Sequence, residues 1–335
     1  MSDNRELQRR RFLAAAAMDA ARCVALPADA STRRYFRVEG GAASVLLMDV
    51  PEGDGEFASF IAISKHLCRL GLSAPRVLES DLESGLALIE DFGTLTYSAA
   101  LARGDDEAGL YRLAVQALVA LHRAPQALAI ALPAFDLSAL LEEVELFAHW
   151  YAPRSRPGLE RERFGARFKA LWSEGLSEIA LRREALVLRD YHVDNLMLIE
   201  SRQGFGACGL LDFQDAVIGA FAYDLVSLCQ DARRDLAPGL EARLLDLYVA
   251  SMPDLDAARF ERDYWLLAAH RHTKVAGIFE RLSQRDGKHS YLRHQGRVLR
   301  LLERALERAG LHPLLDFLHH ELPGWSRYEA AGTTA

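Results

Sequence analysis

The spacing of apolar positions changes along the chain, and each change predicts a different element. "RRRFLAAAAMDAAR" (9–22) is alanine-rich and predicts a first helix capped near Ser2 or Asp3. "YFRVEGGAASVLLMDVP" then alternates as strands do, which predicts Tyr35–Val38 and Ser44–Asp49 around a Gly40-Gly41 turn. In "GEFASFIAISKHLCRLGL" the positions Phe57, Phe60, Ile61, Ser64, Leu67 and Leu70 share one helical face, and Gly71 ends the run. "PRVLESDLESGLALIEDFG" predicts a second pair of short strands, turning near Glu83–Gly85. From Thr96 onward the helical period dominates, with helices expected at about 106–123, 136–151, 158–181, 221–231, 238–250, 257–283 and 289–309.

One island interrupts that helical half. "LVLRDYHVDNLMLIESRQGFGACGLLDFQDA" (186–216) is rich in aliphatic residues and predicts two short strands, Leu196–Glu200 and Cys208–Leu211, with Gly204 and Gly206 between them. The order of elements predicts an α+β fold of two lobes: a β-rich lobe with one helix over 1–92, and a helical lobe over 93–335 that carries an embedded hairpin. Substrates are expected in the cleft between such lobes. There are no internal repeats, and the Thr333-Thr334-Ala335 end is expected to fray.

Composition narrows the class. Half of the 335 residues are hydrophobic and 26% are charged, the balance of a soluble enzyme with room for two cores. A net charge of -7 without a basic stripe argues against nucleic acid as a partner. Cys23, Cys68, Cys208 and Cys229 show no metal spacing and suit reduced thiols in a cytoplasmic protein. The start mimics a twin-arginine export signal, but its apolar run, Phe12–Met18, is only seven residues long before Asp19. No run approaches the roughly 20 apolar residues of a membrane span, so no membrane partner is expected. A monomer is expected.

The chemistry sits in the island. Phosphoryl transfer from ATP needs a carboxylate that orients the attacking hydroxyl, and ligands for the Mg²⁺ that bridges the phosphates. Kinase-type enzymes supply them from a D-x-x-x-x-N loop, a hairpin and a second aspartate. "RDYHVDN" gives Asp190 as the catalytic carboxylate and Asn195 as a metal ligand, and "LLDFQD" gives Asp212 as the second ligand at the end of the hairpin. An earlier triplet, Asp91-Phe92-Gly93, spells a metal motif but precedes the loop instead of following it. It suits the inter-lobe connector, where backbone groups near Glu90, Asp91 and Phe92 can bond an adenine edge. Asp224 in "AYDLVSL" is expected to cap the next helix or to buttress the loop. "RDGKHS" at 285–290 lacks the leading glycine and the Ser/Thr of a P-loop, and no G-x-S-x-G elbow is present.

"LRDYHVDNLML…LLDFQDAVIGAFAYDLVSL" resembles the aminoglycoside phosphotransferase/choline kinase superfamily, relatives of protein kinases. "DASTRRYFRV", "LMDVP", "ELFAHWY" and "RHTKVAGIFERLSQRDGKHSYL" resemble one branch of it, the bacterial N-acetylmuramate/N-acetylglucosamine anomeric kinases of cell-wall recycling, over roughly residues 5–325. The resemblance implies a protein-kinase-like fold, ATP and Mg²⁺, and transfer of the γ-phosphate to the C1 hydroxyl of an amino sugar. The chain departs from the superfamily pattern at three places. Leu188 replaces the usual histidine of the loop. The strand lysine that pairs the phosphates is absent, with Met48 nearby in "SVLLMDV", and Lys65, the one lysine of the small lobe, sits inside the next helix. The phosphate-facing turn is not glycine-rich, but Ser31, Thr32, Arg33 and Arg34 can bind phosphate, and arginine suits that geometry.

For the acceptor, His192, Gln214 and Asp215 border the catalytic and metal residues. Glu145 in "LLEEVELFAHWY" can bond sugar hydroxyls, and Trp150 and Tyr151 can pack on sugar faces, though Phe147 and Trp150 equally suit a core. "AAHRHTKVAGIF" offers Arg271 beside His270 and Lys274, cations for the lactyl carboxylate of a muramic acid or else one polar helix face. Two other readings stay open. The first is another acceptor, such as an aminoglycoside whose amines Glu142, Glu143, Glu145 and Asp215 would bind, choline, or a hydroxy-amino acid. The second is a kinase-like binding module without activity.

Overall fold

A computed structural model describes residues 2–18, 22–27, 33–39, 44–51 and 55–328. The side chains of Ser2 and Asp3, residues Ser31 and Thr32, the Gly40-Gly41 turn and the Thr333–Ala335 end lie outside the described residues. The chain forms two compact units: Met1–Ile130 with Val193–Ala216, and Ala131–His192 with Val217–Ala335. These are not the segments 1–92 and 93–335 expected from the sequence. The β7–β8 hairpin described below packs with the first unit.

In the first unit, β1 (Arg22–Ala25), β2 (Arg34–Glu39), β3 (Val45–Asp49), β4 (Val77–Asp81) and β5 (Leu86–Glu90) form an antiparallel sheet in the order β1-β2-β3-β5-β4. Alternation along the strands sends Val38, Val45, Leu47, Leu86 and Leu88 to one face. There they bury against Leu13 of α1 (Ser2–Ala15). Arg5 and Arg9 of that helix bind the Asp49 carboxylate at 2.6 and 2.9 Å, which ties α1 to the end of β3. The β4–β5 turn needs glycine at 85: φ is +65°, and a Cβ there would sit 2.5 Å from the Val50 carbonyl oxygen.

The predicted helix at 57–70 is α2 (Glu56–Arg69), burying Phe57, Phe60, Ile61, Ile63 and Leu67. Thr96 caps the short α3 (Tyr97–Ala102), and α4 (Glu107–Arg123) follows. The predicted island hairpin is β7 (Leu196–Leu198) with β8 (Cys208–Leu210), numbered after β6 below. It is stitched in place by Leu210 N–H to the Ser73 carbonyl at 2.7 Å and by Leu198 N–H to the Leu95 carbonyl at 2.8 Å.

The second unit holds α5 (Leu137–Leu146), α6 (Ala152–Ser155), α7 (Arg161–Leu176), α8 (Ala222–Cys229), α9 (Leu240–Ser251), α10 (Ala257–Asp286), α11 (Gln295–Arg308) and α12 (His312–Glu321). A two-stranded sheet pairs β6 (Ala185–Val187) with β9 (Val217–Gly219). The single helix expected over 136–151 is instead α5 followed by a π-helical turn, Phe147–Tyr151. The 30-residue α10 is the centre of the unit, packed by α5, α8, α11 and the π-helical turn. Gly277 allows the closest approach: a Cβ would lie 2.3 Å from the carbonyl carbon of Leu146, where the turn begins.

Candidate active site

Strand β6 delivers the chain to Leu188, Arg189 and Asp190. Arg189 turns with φ at +70°, a left-handed conformation that costs a non-glycine residue of order 1–3 kcal/mol. Neighbouring groups hold that turn. The Asp224 carboxylate accepts the N–H of Leu188 at 2.7 Å and of Arg189 at 2.8 Å. Asp224 therefore buttresses the loop. It does not cap α8, whose first turn contains it. Burial pushes its carboxyl up to about 7, although the two N–H bonds favour the charged form. These bonds anchor the loop backbone beside Leu188, where the usual histidine is missing.

Asp190 keeps its side chain 43% exposed. Arg271 donates to the Arg189 carbonyl at 2.9 Å and stands 3.5 Å from Asp190 Oδ1. Burial raises the Asp190 carboxyl, but Arg271, Lys274, His192 and Arg189 outweigh it and hold the group at about 2. Asp190 is thus ionised across the physiological range. His192 is buried, and burial lowers its pKa, so its imidazole is neutral near pH 7.

The "HRHTK" segment of α10 is not a solvated face, because helices surround α10. His270 is fully buried, with its Nε2 3.0 Å from the Leu140 carbonyl oxygen. Lys274 binds the Glu143 carboxylate at 2.7 Å, and the Arg189 guanidinium binds the same carboxylate. Glu145 of α5 pairs with Lys169 of α7 at 2.5 Å. Two of the four acids that could have formed an aminoglycoside pocket are therefore already neutralised by the protein's own cations. Arg271, an acceptor candidate from the sequence, lies against Asp190 and the loop backbone. Phe147 and Tyr151 are core, whereas Trp150 is half-buried and lines a surface pocket with His149, Pro153, Arg161 and Gln284.

In the first unit the two expected metal ligands meet. Asn195 Nδ2 lies 3.3 Å from Asp212 Oδ2, and the Leu211 N–H donates to the Asn195 carbonyl at 3.0 Å. Asp212 is exposed and left-handed, with φ at +58°. Its neighbour Phe213 is fully buried and stacks on Phe60 of α2 at 5.2 Å, so packing holds the triplet in place. Gln214 Nε2 donates to Asp212 Oδ1 at 2.9 Å, and Asp215 is exposed. Asn195 presents its amide nitrogen to Asp212 here; its amide oxygen and the exposed Asp212 carboxylate are the kind of hard oxygen donors that suit Mg²⁺.

Asp91 is occupied otherwise. Its carboxylate accepts from Arg37 at 2.6 Å, Ser44 at 2.6 Å and its own Gly93 N–H at 2.8 Å. Glu90 binds Arg76 and Arg202, and Arg202 lies over the Phe92 ring at 5.3 Å. These side chains brace the end of β5 and the segment after it, within the first unit.

Met48 is fully buried on β3, opposite Tyr35. Arg34 pairs in register with Asp49, so it lies on the α1 face of the sheet, away from Tyr35 and Met48. Arg33 is buried, pairs with Glu56 at the start of α2, and acts on Tyr35 together with the charge of Asp212. Lys65 is exposed on α2. Sequence reasoning did not find the roles of Glu56, Tyr35 or the Glu143–Lys274 pair. Glu143 and Lys274 are 131 residues apart, and no local pattern links them.

A profile of the Phosphotransferase enzyme family matches residues 22–260. An N-acetylmuramate/N-acetylglucosamine kinase of Caulobacter vibrioides is 34% identical over 325 residues, covering 87% of this chain and 89% of that one. A protein of the same name from Pseudomonas aeruginosa is 35% identical over 289 residues, covering 84% and 82%. Among solved structures, a choline/ethanolamine kinase family protein from Mesorhizobium loti superposes with a TM-score of 0.63 at 14% identity, covering 94% of this chain and 99% of that chain. The last likeness shows the fold expected from the sequence.

Proposed function

The chain belongs to the phosphotransferase enzyme family, and from that premise we propose that it uses ATP to phosphorylate the anomeric C1 hydroxyl of N-acetylmuramate and N-acetylglucosamine. The observation that carries this reading is the likeness to kinases of that name across most of both chains, joined to a loop that keeps Asp190 exposed and ionised. The C1 oxygen attacks the γ-phosphorus, the bond from that phosphorus to the bridging oxygen breaks, and ADP leaves. A carboxylate held near 2 is a poor proton sink in the ground state. Asp190 therefore acts by accepting a hydrogen bond from the C1 hydroxyl and aiming its oxygen; as the new P–O bond forms, that proton becomes strongly acidic and passes to the Asp190 carboxylate, which returns it to water.

Asn195 and Asp212 would hold Mg²⁺, which neutralises charge on the phosphates. Arg33, fixed by Glu56, supplies a cation for them, and the connector backbone at Glu90–Phe92 takes the adenine edge. His192, Gln214, Asp215 and Glu145 are the acceptor candidates. Among the described residues no helix is long and apolar enough to cross a membrane.

The test offers Mg-ATP with N-acetylmuramate, N-acetylglucosamine, an aminoglycoside and choline separately, and follows phosphate by ³¹P NMR. An acid-labile C1 phosphate on an N-acetyl sugar, absent with Asp190→Asn, is expected. Turnover of another acceptor alone would overturn the sugar assignment and leave the phosphotransferase intact.

A further inference from the structure

Arg189 is held at three points: its backbone N–H, its carbonyl and the end of its guanidinium. Its N–H donates to Asp224 at 2.8 Å, its carbonyl accepts from Arg271 at 2.9 Å, and its guanidinium binds Glu143. The guanidinium also lies 5.8 Å from the centre of the Phe135 ring. The first two grips act on the backbone. The third joins the loop to α5 and, through Lys274 at 2.7 Å on the same carboxylate, to α10.

A residue with φ at +70° relaxes toward negative φ unless something opposes it, and relaxation at 189 would rotate the next side chain, Asp190. The Glu143 carboxylate is buried, and two cations share it. A buried carboxylate in that arrangement is costly unless both partners stay in place, so the cluster resists displacement of either.

We propose that Glu143 is a positioning residue for phosphoryl transfer: held by Lys274, it pins the Arg189 side chain and so keeps Asp190 aimed at the acceptor hydroxyl. The proposal rests on the kinase reading for its activity readout. It assigns Glu143 a role at a distance from the reacting atoms, in place of contact with an acceptor amine.

The experiment compares Glu143→Gln, Arg189→Gly and the double variant. Glycine adopts positive φ freely, so Arg189→Gly removes the clamp without straining the turn, and it leaves Glu143 its Lys274 partner. Each single variant should lower kcat by about 10- to 100-fold, the cost of a small misplacement of a catalytic group. KM for ATP and for the sugar should stay within about twofold. The double variant should be no worse than the poorer single one, because both act through one contact.

Multiplying effects, a loss confined to KM, or wild-type kcat in either variant would overturn the proposal. Should Glu143→Gln not fold, Arg189→Gly decides alone. Hydrogen exchange over Leu188–His192 gives a reading independent of acceptor: faster exchange in Glu143→Gln supports the clamp, and unchanged exchange sinks it. A wild-type chain inactive on sugars defeats the proposed function, and the exchange result then stands by itself.

Discussion

The guanidinium of Arg271 stands 3.5 Å from Oδ1 of Asp190, inside a buried helix rather than on a flexible arm. Burial alone would raise the Asp190 carboxyl. Arg271 leads the group that holds it at about 2, with Lys274, His192 and Arg189 behind it. In the wild-type protein Asp190 should therefore set no acid limb of kcat/KM above about pH 4. Removing one neighbouring opposite charge moves a carboxylate by about 1–3 pH units. Arg271→Met should thus bring an acid limb upward by that amount and lower kcat, as measured by a pH–rate profile. An unmoved profile would assign Arg271 to the acceptor instead.

Asp224 carries the loop backbone. Asp224→Ala leaves the N–H groups of Leu188 and Arg189 without their acceptor, at roughly 1–3 kcal/mol each when buried. A loss of about 2–4 kcal/mol is expected in urea titration, with m unchanged, together with a large fall in kcat. Asp224→Asn keeps one oxygen acceptor and should fall between.

The two Asp-Phe motifs separate by experiment. Asp212→Asn should abolish Mg²⁺-dependent turnover by at least about 100-fold, since it removes the charged ligand. Asp91→Asn breaks contacts to Arg37 and Ser44 and should cost about 1–3 kcal/mol of stability. Its Mg²⁺ dependence should match wild type. Equal metal defects in both variants would refute the assignment.

Arg33 and Lys65 offer a second contrast. Arg33 is buried and paired with Glu56, whereas Lys65 is exposed. Arg33→Met should raise KM for ATP by about tenfold or more, equivalent to roughly 1.4 kcal/mol of lost binding, while Lys65→Met leaves it unchanged. The reverse pattern would restore Lys65 as the phosphate cation.

Two histidines of α10 predict the acid limit of the fold. Burial lowers His270 to about 4 and His272 to about 3, whereas an unfolded histidine takes its proton near 6.5. Between those values the unfolded chain binds more protons. Stability therefore rises with pH across the window and is lost as pH falls below about 6.5, at up to about 1.4 kcal/mol per pH unit for each group. Asp224 works oppositely, because its folded carboxyl, at about 7, holds a proton that the unfolded chain releases. Urea titrations from pH 7 to 5 should therefore show a shallower slope for His272→Gln than for wild type. An equal slope would count against a neutral buried His272.

Local spacing made the candidate catalytic and metal residues legible as a group. Asp190, Asn195 and Asp212 lie within one loop and hairpin, and the hairpin pairs residues 196–198 with 208–210, close in sequence. The small-lobe strands and α2 are equally local. What pairs at a distance leaves no such trace. Strands β6 and β9 are three residues each, too short for periodicity, and pair across more than two dozen intervening residues. The polar letters of "HRHTK" suggest a surface or a ligand site, and only the helices around α10 show them as interior charges. Nor does sequence announce the π-helical turn at Phe147–Tyr151, which begins where Gly277 lets two backbones meet.

The chain has four lysines, Lys65, Lys169, Lys274 and Lys288. Strand β3 carries no lysine, and Lys274 is committed to Glu143. Arginine does not lose its proton in proteins and offers no nucleophilic amine. Acyl-phosphate nucleotides, which mark kinases by acylating a lysine beside the phosphates, would find no amine at Arg33. With Arg33 as the proposed phosphate cation, the chain would pass unlabelled through a lysine-directed survey of ATP sites.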